Sequence, residues 1–121
     1  MTTETESNES NESIATDEPV HVSSPAALDE LVANHDVVLT DFYADWCGPC
    51  QMLEPVVETL AAETEAVVAK VDVDANQQLA STYGVRGVPT LVLFADGEQA
   101  NEVVGAQPEA QLRSMIEQHT A

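Results

Sequence analysis

The chain has 121 residues, a hydrophobic share of 44% and a formal net charge of −19, with 22 acidic side chains against Lys70, Arg86 and Arg113. That length and apolar share support one domain with its own core and are too short for two. The charge excludes electrostatic binding to nucleic acid or to an anionic membrane, because three cations cannot neutralise a track of phosphates.

Residues 1–19, MTTETESNESNESIATDEP, are polar, acidic and repetitive. They cannot bury enough surface to offset their ordering entropy, so a disordered tail is expected there and a folded domain over 20–121. Asn8 and Asn11 match the glycosylation pattern, an accident of composition in a chain without a basic-then-apolar secretory leader. No stretch approaches about 18 consecutive apolar residues, so a cytoplasmic location is expected. Ser24-Pro25 reads as an N-cap and first helical position, with Leu28, Leu31 and Val32 on one face. Val37 to Tyr43, VVLTDFY, predicts a strand covered on both faces.

Next comes Trp46-Cys47-Gly48-Pro49-Cys50, which holds both cysteines of the chain. A metal clamp, a structural staple and a redox switch are the three readings. As a staple, the pair would close a very short loop and restrain the unfolded chain least. A metal needs about four ligands, and His21, His35 and His119 show no paired spacing, although two chains could share a metal or cluster. Redox chemistry leads, and a reducing cytosol favours catalytic use of such a pair.

The helix that follows carries Leu53, Val56, Val57, Leu60 and Ala61 as an inward stripe, with Pro55 expected to kink it. Cys47 then falls at the helix's open end, where unpaired N–H groups and the dipole favour a thiolate. The expectation is an exposed, attacking Cys47 and a sheltered Cys50 that attacks back to release the substrate. Farther on, Val67 to Val73 reads as a strand and Ala75 to Tyr83 as a short helix capped by Asp74. Thr90 to Phe94 and Gln99 to Val104 flank Asp96-Gly97 as a hairpin. Pro108 opens a last helix with Leu112, Met115 and Ile116 inward. This order argues for an α/β sandwich around a mixed sheet.

From about Val20 to His119 the segments DFYADWCGPC, AKVDVD, YGVRGVPTLVLF, DGE and VVGA occur in order, and in them the chain resembles the thioredoxin family. The resemblance implies the thioredoxin fold, a central mixed β-sheet with helices on both faces. It also implies general reduction of protein disulfides, with Cys47 and Cys50 as the redox-active pair, needing no metal or cofactor. It assigns Asp41 to proton transfer at Cys50, with Lys70 beside it, and makes Pro89 a cis-proline facing the cysteines. Trp46, Gly48, Pro49, Gly87, Val88, Pro89, Gly105 and Ala106 would form the surface that docks target peptides. The implied partners are protein disulfides and a thioredoxin reductase, with the protein working as a monomer. Gln51 departs from the family, which commonly has lysine after the second cysteine, and so weakens thiolate stabilisation at Cys47.

The near absence of lysine in domain and tail alike points to a halophilic archaeal source, where high salt screens self-repulsion. Three rivals remain: an oxidase or isomerase using the same chemistry, a binding or chaperone subunit with incidental cysteines, and a dimer holding a metal or cluster between its pairs.

Overall fold

The computed structural model describes residues 17–120. Residues 1–16, with most of the expected tail and both glycosylation matches, lie outside the described residues. The elements are β1 (Val20–His21), α1 (Pro25–Asn34), β2 (Val37–Tyr43), α2 (Gly48–Glu63), β3 (Val67–Asp72), α3 (Gln77–Thr82), β4 (Thr90–Ala95), β5 (Glu98–Val104) and α4 (Glu109–Glu117).

β2 and β4 are almost wholly buried apolar runs, so they lie inside a five-stranded sheet ordered β1-β3-β2-β4-β5. β1 and β2 run parallel to β3, while β4 is antiparallel to both β2 and β5. Successive side chains on a strand point to opposite faces, and this alternation divides the core in two. Val37 and Leu39 of β2, Val68 of β3, and Leu91 and Leu93 of β4 pack under α2 and α4. Val38 and Phe42, with Val67, Ala69 and Val71, pack on the other face with Leu28 and Leu31 of α1 and Leu79 of α3. By the same parity Asp41 and Tyr43 of β2 and Lys70 of β3 belong to the α2 side.

Local chemistry explains most boundaries. The Ser24 hydroxyl accepts from the Ala27 N–H at 3.1 Å and Pro25 supplies the first turn of α1. Asp96 and Gly97 have φ of 54° and 87°, the paired positive values that a two-residue hairpin turn needs. α2 continues through Pro55 to Glu63, with Leu53, Val57, Leu60 and Ala61 buried and Val56 partly so.

Several boundaries differ from the expectation, most by one residue: Pro108, for one, is the N-cap of α4, which starts at Glu109. α3 starts at Gln77, because the Asp72 carboxylate accepts from the Asp74 N–H at 2.9 Å and so ties the chain into a turn before the helix can begin. Asp74 is therefore not its cap. β1 is a two-residue strand, too short to show a period of its own.

Candidate active site

The end of β2 delivers Ala44, Asp45 and Trp46 to the start of α2, where Cys47 is the N-cap residue. Its Sγ accepts from the Cys50 N–H at 3.1 Å and its carbonyl accepts from the Gln51 N–H at 3.1 Å. Gly48 and Pro49, both exposed, form the first helical positions between the two cysteines. Pro49 there removes an N–H that would have had no intrahelical partner. Cys47 and Cys50 form a disulfide with their Cα atoms 5.2 Å apart.

The expected difference in exposure between the cysteines is absent: each is 3% exposed. Together with Ala44 they form a small apolar cluster, closed by Tyr43, Val73 and Val88. Val73 and Val88 come from distant parts of the chain to pack against this cluster. What does distinguish the two is the helix: the Cys47 sulfur faces an N–H at the positive end of α2, whereas Cys50 is held within its first turn.

The Val88-Pro89 peptide, whose Val88 packs against the cysteine cluster, is cis. Pro89 is buried, and its carbonyl accepts from the Gly105 N–H at 2.8 Å. Gly105 has a φ of 96°, a conformation that favours glycine. The Thr90 hydroxyl donates to the Gly87 carbonyl at 2.7 Å, fixing the other end of this loop. Gly87, Val88 and Gly105 are thus joined through Pro89 and Thr90, and Val88 reaches the cysteine cluster. Ala106 follows Gly105 and is exposed. Trp46 is 71% exposed, and its indole N–H donates to the Asp74 carboxylate at 2.8 Å.

Asp41 lies under α2, 1% exposed, between Lys70 of β3 and Leu91 of β4 in register. Burial pushes its carboxyl up to about 6 from an ordinary 3.8; Lys70 opposes the rise and Glu54 adds to it. The expected pairing of Lys70 with Asp41 is not observed. The Lys70 ammonium binds Glu54 of α2 and lies 4.3 Å from the centre of the Tyr43 ring. Glu54, one position beyond the inward Leu53, stands on the flank of α2 over β3, within a lysine's reach.

Three contacts around the site escaped the sequence reading: Glu54 on Lys70, Asp74 on Trp46, and the Gln51 amide, which donates to the Asp45 carbonyl at 2.9 Å. The last gives Gln51 a part in holding the loop before Cys47. None of the three had a signal in the sequence: the burial of Lys70, which calls for an anion close by, is visible only in the fold. Among the described residues no three His, Cys, Asp or Glu side chains stand together so as to hold a metal ion. No helix there is long and apolar enough to cross a membrane.

Comparison with known proteins agrees with this geometry. The thioredoxin family model matches residues 19–118. A thioredoxin of Chlamydia caviae is 47% identical over 102 residues, covering 84% of this chain and 99% of its own. One from Chlamydia pneumoniae is 43% identical over 101 residues, covering 83% and 98%. The solved structure of a mutant thioredoxin from Halobacterium salinarum superposes with a TM-score of 0.87 at 66% identity, covering 88% of this chain and 95% of that one. With its fold, its Cys47–Cys50 disulfide and these relatives, the chain belongs to the thioredoxin family of dithiol–disulfide oxidoreductases.

Proposed function

We propose that this protein reduces protein disulfides in the cytosol of a halophilic organism, with Cys47 as nucleophile, Cys50 as resolving thiol and Asp41 as proton acceptor. One observation carries the assignment of Cys47: its sulfur already receives the Cys50 N–H at the positive end of α2. A thiolate would accept that bond more strongly than a disulfide sulfur does, so the site favours ionisation of the reduced form.

The reaction then follows. The Cys47 thiolate attacks a substrate disulfide, forming a mixed disulfide and expelling one substrate thiolate. The Cys50 thiol gives its proton to the Asp41 carboxylate. Cys50 attacks the Cys47 sulfur, expelling the second substrate thiolate and leaving the Cys47–Cys50 disulfide. Two electrons pass to the substrate, and a thioredoxin reductase returns the pair to the dithiol. Trp46, Gly48, Pro49, Gly87, Val88, Pro89, Gly105 and Ala106 dock the target peptide, a role supported by the contacts that join the Gly87–Val88 loop to Gly105 and to the cysteine cluster. Lys70 acts on Asp41 by its field rather than by direct pairing.

A cytosolic place fits a carrier that must be re-reduced to turn over. The acidic surface and the likeness to the Halobacterium protein support the halophilic source. Repulsion between identical acidic surfaces favours a monomer. Reduction of insulin disulfides tests the activity: with dithiothreitol as reductant, the protein should accelerate insulin precipitation in molar KCl. No acceleration over dithiothreitol alone would return the chain to a binding subunit.

A further inference from the structure

Asp41 and Lys70 are partners in the parallel register of β2 and β3 and share the sheet face beneath α2. Opposite charges so placed would ordinarily meet. Here they do not. The Lys70 ammonium goes to Glu54 and to the face of Tyr43, and Asp41 Oδ1 has no hydrogen-bond partner among the described residues. Lys70 is itself only 5% exposed, whereas Glu54 is partly exposed and borders a cleft of about 630 Å³ that Lys70 also lines.

We propose that Glu54 is a positioning residue of the exchange reaction: it tethers Lys70 at this cleft and withholds from Asp41 the ion pair that the strand register offers. The proposal rests on reading Asp41 as the proton acceptor for Cys50. A carboxylate ion-paired to lysine is a poor base, because the cation favours the unprotonated form. With Lys70 held elsewhere, Asp41 can take up and release a proton near neutral pH.

The other titratable groups around this site come from β1, β2, β3 and α2 and the segments beside them, β3 adding Asp72, which acts on Tyr43. β2 supplies Tyr43, with Asp45 just after it, and α2 supplies Glu58 one turn beyond Glu54. His21 of β1 and the preceding Asp17 and Glu18 border the cleft from outside. β4 places only Leu91 opposite Asp41. Burial and neighbouring carboxylates push the Tyr43 phenol up, so it stays neutral in the range that matters.

The test is a carboxyl-carbon NMR titration of Asp41 in the oxidised protein, repeated in a His21→Gln background to remove the one imidazole bordering the cleft. Glu54→Gln, a change at a partly exposed position, should lower the Asp41 midpoint by about one pH unit. In Lys70→Met, which keeps the apolar stem, the same change should have much less effect. An unmoved midpoint overturns the proposal. An equal drop with and without Lys70 also overturns it, since Glu54 would then act by its own charge alone. Closure of the mixed disulfide by Glu54→Gln should run about threefold slower than wild type at pH 8, where Asp41 is ionised in both and is the weaker base in the variant, and no slower at pH 5, where more of the variant's Asp41 is unprotonated. A midpoint that moves while this pH profile stays fixed upholds the tether and removes Asp41 from the proton transfer.

Discussion

Asp41 stands in a strand otherwise made of valine, leucine, threonine and aromatic residues, and its position fixes a cost. In the unfolded chain its carboxyl ionises near 3.8; in the fold it ionises near 6. The folded state therefore holds the extra proton between those values, and stability present below about pH 4 is lost as pH rises through about 6. The loss is on the order of 3 kcal/mol for a shift of this size. Asp41→Asn should accordingly stabilise the protein by roughly 2–3 kcal/mol at pH 8 and by little at pH 4. Urea denaturation at the two pH values measures this, and equal gains at both would mean that Asp41 is not the group involved. The family resemblance picked out Asp41, a lone charge in an apolar run, and its burial is what the structure adds. Glu54 was hidden because one acid among 22 offers no contrast, and only the packing of α2 over β3 shows which acid meets the lysine. The burial of Cys47 was hidden for a similar reason: Val73 and Val88, which pack against the cluster it belongs to, are distant in sequence.

Among the elements, those with strong local signals matched the sequence reading closely. β2 spans the expected residues, α2 buries the expected stripe, and the hairpin turns at Asp96-Gly97. These features depend on neighbours within a few residues. The start of α3 does not, because it is set by where the Asp72 carboxylate turns back onto the Asp74 N–H, a choice among several acids that composition leaves open. α1 offers a direct check on local capping. Ser24→Ala removes the acceptor for the Ala27 N–H and should cost about 1 kcal/mol, read from the denaturation midpoint. Ser24→Gly should cost only a few tenths of that figure if the cap alone is responsible.

At the scale of the whole molecule, charge dominates. Residues 20–121 carry 16 acidic side chains against 3 basic, a net charge of −13. Among the described residues the ion pairs are few: Arg113 joins Glu63 of α2 at 2.7 Å to Glu109 of α4 at 2.8 Å, and Lys70 binds Glu54. The partly exposed Arg113 pairs contribute little and the one pair of a buried lysine is local, so repulsion is largely uncompensated in dilute buffer. Salt at about 1 M shortens the Debye length to about 3 Å. Tm should rise by several degrees from dilute buffer to molar KCl, and the rise should shrink when Glu30, Glu65, Glu98 and Glu117 are changed to glutamine. All four are exposed and lie outside the Arg113 pairs. Because salt also strengthens apolar burial, the change in slope, rather than the rise itself, reports on charge. An unchanged slope would remove the halophilic reading and leave the cysteine chemistry intact. That chemistry is the central claim, and trapping tests it most directly. Cys50→Ser, reduced and then mixed with a disulfide-bonded protein, should accumulate a mixed disulfide through Cys47 on non-reducing gels, whereas Cys47→Ser should trap none. Equal trapping by both variants, or trapping by Cys47→Ser alone, would contradict the assignment of nucleophile and resolving thiol.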